Sequence, residues 1–281
     1  MDARTFFGLE PVPGHDNRWR MEVTRGLTSG TGALFGGCGL GACIDVMEHV
    51  TGRPCVWATA QYLSFARPPA VLELDVREVV RGHQISQARV IAHVGDTEIL
   101  TVLGALGTRP LELSGQWAVR PDVPPPDDCP PRPLMHRHEG TLSSRLDAKL
   151  ANGRAPEELP GPEGSGNSAL WVRLPEVLEM SAPALAIIGD YVPFGIGQAL
   201  GRRAGGNSLD NTLRVAHRVP TEWVLADVRV HAVADGFGHG LVHLWAEDGT
   251  LLGTASQSTI VRAWKNDDHQ PLTELEGEVR H

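Results

Sequence analysis

Apolar residues recur along the chain in two patterns, one typical of a helix and one typical of strands. From Leu40 to Val50 they return with the 3.6-residue period of a helix. Four strand-like runs follow, separated by turn signals such as Arg81-Gly82. The runs span Cys55–Phe65, Val71–Arg81, Ile85–Val94 and Glu98–Gly107. One helix followed by an antiparallel meander predicts an α+β fold rather than a chain of βαβ units.

The same order returns later in the chain. A second helix is predicted over Ser181–Gly201 and is followed by four more strand-like runs, at Ser208–Val219, Trp223–Val233, Gly240–Ala246 and Leu251–Val261. Further short strands are predicted at Arg18–Val23, Leu142–Leu150 and Trp171–Leu174. We interpret the two copies of a helix plus a four-strand meander as an internal duplication.

A proline-rich stretch separates the copies. Residues 121–133 read PDVPPPDDCPPRP, and a segment so rich in proline and so poor in apolar side chains is expected to be a semi-rigid connector that packs no core. We therefore divide the chain into an N-terminal unit at 1–117, a linker at 118–137, a C-terminal unit at 138–265 and a polar tail at 266–281.

One acid lies inside the second predicted helix. Ser181–Gly201 is apolar on almost every side, which is typical of a buried helix, yet Asp190 lies at its middle. A buried carboxylate needs hydrogen-bond donors or becomes protonated. Pro193 lacks the N–H that would bond to the carbonyl of Gly189, so the helix is predicted to kink beside the acid. Two interpretations stay open: a reactive carboxylate, or a structural one satisfied by backbone amides.

Two further polar residues stand among apolar neighbours in the C-terminal unit. Ser208 begins a strand and Gln257 lies on the last one, so both can face the helix and share one water molecule with Asp190. A turn serine and an edge glutamine are the alternatives. Strand alternation predicts that Ser208 and Asp210 share one face, with Asn211 on the other.

Composition narrows the function classes. The formal net charge of −9 argues against a nucleic-acid partner or an anionic membrane surface. The four cysteines form no CxxC pair, and the N-terminus lacks the basic and apolar regions of a secretory signal. No charge-free apolar run approaches the roughly 18 residues of a membrane-spanning helix. We expect a cytoplasmic protein without membrane insertion.

The other motifs in the sequence give weaker evidence of a function. GCGLGA at Gly37–Ala42 is similar to a dinucleotide fingerprint, but a meander rather than a βαβ unit follows it. Cys38 has no evident base nearby, so a packing role is favoured over a nucleophilic one. His239 and His243, and the two histidines of MHRH at Met135–His138, each lack a third residue that could complete a metal site. No metal or other cofactor is expected.

Several segments together resemble the acyl-CoA thioesterase II family, the double hotdog enzymes related to bacterial TesB. The resemblance is carried by LFGG at Leu34–Gly37, FARP at Phe65–Pro68, Asp190, SLDNTLRVAHRVP at Ser208–Pro220 and the TASQ strand that ends at Gln257. It implies two tandem repeats, each an antiparallel sheet wrapped around a long central helix. A double hotdog can be complete as a monomer, while the resemblance also implies a homo-oligomer.

The same resemblance implies a reaction and its residues. Asp190, Ser208 and Gln257 would orient the water that attacks the thioester of a fatty acyl-CoA substrate. Ser208 stands where many members have Thr, and Asn211 stands where some have His. Arg67, Arg202 or Arg203 would meet the CoA phosphates.

Two other functions fit this fold. A hotdog enoyl-CoA hydratase would need an Asp/His pair near the catalytic helix, and no such segment is evident in the sequence. A non-catalytic acyl-CoA or lipid-binding protein would bind acyl-CoA tightly without releasing thiol.

Overall fold

The computed structural model describes residues 1–134, 138–176 and 180–264. The helices in these ranges are α1 (Ala3–Phe7), α2 (Gly36–Thr51), α3 (Ala182–Ile188) and α4 (Val192–Leu200). The strands are β1 (Glu10–Pro11), β2 (Arg18–Glu22), β3 (Cys55–Tyr62), β4 (Val71–Arg81), β5 (Ile85–Val94), β6 (Thr97–Gly107), β7 (Asp147–Asn152), β8 (Asn167–Arg173), β9 (Ala204–Ser208), β10 (Asp210–Val215), β11 (Val224–Ala234), β12 (Phe237–Ala246) and β13 (Leu251–Ala263). The predicted tail at 266–281 lies outside the described residues.

The strands form one antiparallel sheet whose order is nearly symmetric about its centre. It runs β1-β2-β4-β5-β6-β3-β10-β13-β12-β11-β8-β7, with β9 beside β13. The two meanders join where β3 pairs with β10, and there the hydroxyls of Thr59 and Thr212 lie 2.6 Å apart. Helix α2 packs on the strands of the first meander and α4 on those of the second. This arrangement confirms the predicted α+β double hotdog.

Helices α2 and α3 approach each other closely at two glycine residues of α2. A Cβ on Gly37 would lie 2.6 Å from the carbonyl oxygen of Ala186, and one on Gly41 would lie 2.8 Å from that of Pro183. Such distances leave no room for a methyl group, so these two glycines allow α2 to lie against α3. Gly37 and Gly41 of the GCGLGA motif therefore allow the two helices to pack closely.

Three predicted elements differ from the structure. The helix predicted over Ser181–Gly201 is two helices, α3 and α4, so the expected kink is a complete break. The strand predicted at Leu142–Leu150 was wrong in its first half, because Leu142–Arg145 is a short 3₁₀ helix that precedes β7. The strand predicted from Ser208 is interrupted at Leu209, which separates β9 from β10.

The linker packs against the protein, contrary to the expectation that it packs no core. Trp171, Trp223, Leu225, Trp245 and Cys129 form a buried cluster on the outer face of the second meander, and Ala118 and Val123 of the linker lie against it. The indole N–H of Trp171 donates to the carbonyl oxygen of Pro124 at 2.9 Å. We name this group the tryptophan cluster. Large aromatic side chains on the sheet supply the apolar area that the linker's own sequence lacks.

Candidate active site

The break between α3 and α4 holds Asp190. The break has a local cause, because Pro193 cannot donate a hydrogen bond to the carbonyl of Gly189 and so fits only in the first turn of a new helix. Asp190 thus lies beside a helix start instead of inside a helix, with its side chain facing the protein interior and only 7% of the residue exposed.

Three groups from distant parts of the chain meet at this carboxylate. Oδ2 of Asp190 accepts a hydrogen bond from the backbone N–H of Gly37 at 2.6 Å, and Oδ1 accepts one from Nε2 of Gln257. The same Nε2 donates to Oγ of Ser208 at 3.0 Å. The structure therefore brings together all three residues that the sequence placed in a site.

The orientation of the Gln257 amide is fixed by its other end. Its Oε1 accepts a hydrogen bond from the backbone N–H of Val192 at 3.1 Å, so the amide nitrogen must face Asp190 and Ser208. With both protons of Nε2 directed at these two side chains, Gln257 has no proton left for a water molecule. Its role in the geometry is to hold the acid and the hydroxyl in place.

Burial dominates the electrostatics of the acid. It raises the pKa of Asp190 from 3.8 to about 7, and the hydrogen bonds from Gly37 and Gln257 oppose part of that rise. A carboxyl group with such a pKa can hold a proton or accept one near neutral pH. That property is what a general base in a water-excluding site needs.

Tyr62 is a residue of the site that the sequence argument missed. A Cβ on Gly36 would lie 2.8 Å from Oδ2 of Asp190 and 2.9 Å from the hydroxyl oxygen of Tyr62, so both groups border the small space that this glycine leaves open. The buried Tyr62 hydroxyl makes no hydrogen bond of regular geometry within the described ranges, although the side chain of Asn211 lies close enough to oppose part of the rise that burial causes in the pKa of the phenol. Burial, and then the nearby charge of Asp190, hold the pKa of Tyr62 well above its usual value, so the phenol keeps its proton.

The sequence held little that could have identified Tyr62. The chain contains only two tyrosines, Tyr62 and Tyr191, and both line the cavity at the site. Strand β3 gives no further indication, because its buried and exposed positions alternate as in any half-buried strand.

The cavity in front of Asp190 has a volume of about 340 Å³. Most of its wall is apolar, with side chains from the start of α2, from β6 and from the segment after the linker: Leu34, Phe35, Leu100, Leu142, Leu146, Leu150 and Leu159. Arg154, Arg203 and Trp264 also line it. Because Arg203 follows the C-terminus of α4 and Asp190 precedes its N-terminus, the length of this nine-residue helix, about 13 Å, separates them.

Other sequence-derived candidates lie differently. Asn211 is buried beside the site and not on the face opposite Ser208, because the interruption at Leu209 resets the alternation between β9 and β10. Arg67 donates to the carbonyl of Thr31 at the cavity wall. Arg202 is exposed and is not part of the wall. Burial raises the pKa of the Cys38 thiol, which makes it unreactive.

Two kinds of feature, a metal-binding cluster and a membrane-spanning helix, are absent from the described residues. These residues contain no group of three or more His, Cys, Asp or Glu side chains placed to hold a metal ion. In the same part of the chain no helix is long and apolar enough to cross a membrane.

Comparison with known proteins gives two kinds of match. Residues 126–261 match a family model described as the acyl-CoA thioesterase C-terminal domain. A solved structure of a candidate thioesterase from Novosphingobium aromaticivorans is 32% identical to this chain, covers 89% of it, is itself covered over 97% of its length and superposes with a TM-score of 0.78. No curated protein sequence matches the chain.

More distant structures share the fold. The acyl-CoA thioesterase II TesB2 from Mycobacterium marinum is 19% identical, with 94% of this chain and 99% of that chain covered and a TM-score of 0.72. The tesB protein from Mycobacterium avium subspecies paratuberculosis is 15% identical, with 92% and 97% covered and a TM-score of 0.74. At these identities the likeness concerns architecture alone.

Proposed function

The chain belongs to the TesB-like acyl-CoA thioesterase II family, whose members are thioester hydrolases, and from that premise we propose that it hydrolyses fatty acyl-CoA at Asp190. The observation that carries the proposal is the contact of Asp190 with both Gln257 and Gly37 at the wall of a largely apolar cavity. A buried carboxylate with a pKa of about 7 is suited to take a proton from water.

In the proposed reaction, a water molecule between Asp190 and Ser208 attacks the thioester carbonyl carbon. Asp190 takes one proton from that water as the new C–O bond forms. The C–S bond then breaks, and the CoA thiolate leaves with the proton that Asp190 held. The products are a carboxylic acid and free CoA, and no covalent enzyme intermediate is formed.

Ser208 and Gln257 have separate roles in this proposal. Ser208 accepts a hydrogen bond from Gln257, which leaves its own hydroxyl proton free to fix a lone pair of the water. Gln257 does not touch the water and acts as a positioning residue for Asp190 and Ser208. The resemblance implied that Gln257 itself orients the water. Because both protons of its amide nitrogen are already donated to Asp190 and Ser208, a positioning role is favoured instead.

The developing oxyanion needs a donor on the opposite side of the carbonyl. We assign this task to the hydroxyl of Tyr62, since it is buried, protonated and borders the space beside Gly36. The N-terminus of α2 adds a positive partial charge at the same place.

The CoA portion is assigned to the other end of α4. Arg154 and Arg203 offer cationic groups for the phosphates there, and Trp264 offers a flat surface. The pantetheine arm would run along α4 from Asp190. The sequence-based expectations of a cytoplasmic location, of a homo-oligomer and of units at 1–117 and 138–265 are kept with this proposal.

The test is thiol release from a panel of acyl-CoA thioesters of increasing chain length. Asp190→Asn is expected to lower kcat about 10²- to 10⁴-fold, the usual contribution of a positioned base. Asp45→Asn, which changes a partly buried acid on α2 that pairs with Arg4, serves as the matched control and is expected to retain activity.

Two outcomes would contradict the proposal. Hydrolysis by Asp190→Asn at the parent's rate would exclude Asp190 as the base. Loss of the enoyl absorbance of crotonyl-CoA without thiol release would identify a hydratase instead.

A further inference from the structure

A cation from the linker enters the cavity wall next to the proposed catalytic acid. The guanidinium of Arg132 lies 4.9 Å from the ring centroid of Phe194 and 5.9 Å from that of Tyr191. These two rings belong to the residue directly after Asp190 and to the one four positions after it. Arg132 thus contributes a positive charge to the same cavity that Asp190 faces.

The other arginines stacked on aromatic rings in the described residues form two groups, and Arg67 and Arg120 each donate to a backbone carbonyl oxygen without pairing with a carboxylate. Arg4, Arg145 and Arg173 each lie over a ring and each also bind a protein carboxylate, within 3.1 Å. No carboxylate in the described ranges pairs with Arg132. Its positive charge is therefore not neutralised by the described part of the chain, although it borders a mainly apolar cavity.

Ring stacking leaves N–H groups at the edge of the Arg132 guanidinium, and their fork matches the two oxygens of a carboxylate. Arg132 also forms a side-chain hydrogen bond with Tyr191, which opposes the rise that burial causes in the pKa of that phenol, so part of the guanidinium edge is used within the protein. The neighbouring wall contains Leu142 and Leu146 together with Ser143 and His138, which hydrogen-bond to each other. Arg132 brings a permanent positive charge to this part of the wall, so an anionic group of the ligand near these leucines is expected to pair with it.

The position of Arg132 decides which part of the substrate meets it. The reacting carbonyl must lie at Asp190, and Arg132 packs on the residue next to it in the chain. The CoA phosphates are separated from the sulfur by the whole pantetheine arm, and Arg154 and Arg203 lie at the far end of α4. An anion at Arg132 therefore belongs to the acyl group.

Building on the proposed thioesterase function, we propose that Arg132 binds a carboxylate on the acyl chain and that the preferred substrates are mono-CoA thioesters of dicarboxylic acids. The second carboxylate of the acyl group forms a bidentate pair with the guanidinium while the thioester carbonyl lies between Asp190 and Tyr62. An unsubstituted acyl chain of equal length lacks this pair and leaves the cation without a counter-ion.

The experiment compares adipoyl-CoA with hexanoyl-CoA, which have equal chain lengths and differ in the terminal carboxylate. The wild-type enzyme is expected to show the higher kcat/KM with adipoyl-CoA. Arg132→Gln is expected to lower that value about 10- to 100-fold, as for a lost hydrogen-bonded charge pair, and to leave hexanoyl-CoA hydrolysis nearly unchanged. Arg120→Gln is the matched control, since Arg120 also lies over an aromatic ring, that of Trp171, but does not line the cavity.

A second pair of substrates, adipoyl-pantetheine and hexanoyl-pantetheine, distinguishes a contact of Arg132 with the acyl carboxylate from a contact with the CoA phosphates. Adipoyl-pantetheine has no phosphate, so a loss in Arg132→Gln that persists with it supports the carboxylate contact. A loss that is equal for adipoyl-CoA and hexanoyl-CoA, and that disappears with the pantetheine thioesters, would assign Arg132 to CoA phosphate and overturn the proposal.

Binding measurements keep the two proposals distinguishable. If the wild type hydrolyses hexanoyl-CoA and shows no preference for adipoyl-CoA, the inference about Arg132 is wrong and the thioesterase function stands. If no acyl-CoA is hydrolysed, the proposed function fails, and calorimetric binding of adipoyl-CoA and hexanoyl-CoA to Asp190→Asn still tests Arg132. Equal affinity for the two thioesters in that variant would overturn the inference.

Discussion

Asp190 combines two properties that usually exclude each other. It is buried, which disfavours its charge, and its two oxygens accept hydrogen bonds, which favours that charge. The balance leaves the pKa at about 7. Because each oxygen already has a donor from the protein, the carboxylate is held in one orientation toward the cavity. Both its reactivity and its effect on stability should therefore depend on pH.

Activity should rise with pH through the titration of Asp190. Since the base form is the deprotonated one, kcat/KM for an acyl-CoA is expected to increase tenfold per pH unit below about 7 and to level off above it. Gln257→Leu removes a hydrogen bond that lowers the pKa of Asp190, so its rising limb should move to higher pH. Ser208→Ala should lower the rate without moving the limb. A profile that is flat from pH 5 to 8 would contradict this assignment.

Stability should show the opposite trend. The folded state binds a proton at Asp190 up to about pH 7, whereas the unfolded chain releases it near 3.8, so the contribution of this group to the free energy of unfolding is lost as pH rises between these values. Relative to Asp190→Asn, the wild type is expected to lose up to about 4 kcal/mol between pH 4 and pH 8. Urea denaturation of both proteins across this range measures the difference, and parallel curves would show that burial does not shift this pKa.

The break between α3 and α4 and the glycines of α2 place these residues. The chain interruption lets the acid face the cavity, and close approach of α2 to α3 brings the amide of Gly37 within reach of it. A Cβ at Gly37 would meet the rigid backbone of Ala186, whereas one at Gly39 would meet the ends of the Leu100 and Leu34 side chains, at 3.3 and 3.5 Å.

Two alanine substitutions in α2 test this packing. Gly37→Ala is expected to destabilise the protein by about 1–3 kcal/mol or more, because overpacking against backbone cannot relax easily. Gly39→Ala makes the same chemical change in the same helix and is expected to be neutral or stabilising, since alanine favours a helix over glycine by about 1 kcal/mol. Midpoints of urea denaturation compare the variants, and equal effects would argue against a glycine-dependent helix contact.

Periodicity was sufficient to predict most elements and insufficient for the contacts between them. The meanders and α2 followed from apolar spacing, and the break at Asp190 followed in outline from Pro193. The short 3₁₀ helix at Leu142–Arg145 was missed because an apolar run of that length does not distinguish it from a strand. Asp190, Ser208 and Gln257 were singled out as polar residues among apolar neighbours, and the resemblance then implied their roles. Tyr62 and Arg132 were not singled out, since a tyrosine on a strand and an arginine in a linker acquire meaning only when the cavity is seen.

The two halves share a fold but differ on the outer face of the sheet. Equivalent cross-strand rows carry Arg20, Glu73 and His93 in the first meander and Trp171, Leu225 and Trp245 in the second. The first row is ionic, with Glu73 near Arg18 and His93, and faces solvent. The second row is apolar and lies under the linker. The linker thus covers the apolar row of the second meander.

Removing an aromatic side chain from the tryptophan cluster should release the linker. Trp171→Ala is expected to cost about 3–5 kcal/mol of unfolding free energy, because it leaves a cavity and removes the indole N–H that donates to the carbonyl of Pro124. It should also speed cleavage of the linker by proteinase K. Trp117→Ala is the matched control, because that indole is 88% exposed and its loss should alter neither measurement. Unchanged cleavage in Trp171→Ala would show that the linker is held elsewhere.

The hydrogen bond from Gly37 to Asp190 makes each half of the molecule dependent on the other. The half that carries Asp190 uses an amide and a phenol from the other half, so the N-terminal copy cannot be discarded, although Asp45 of its own helix pairs with Arg4 and does not line the cavity. Polypeptides 1–117 and 118–281, produced separately, are expected to release no thiol from acyl-CoA. Produced in the same cell they should regain activity in proportion to the heterodimer that forms, and activity of the C-terminal polypeptide alone would show that the borrowed groups are dispensable.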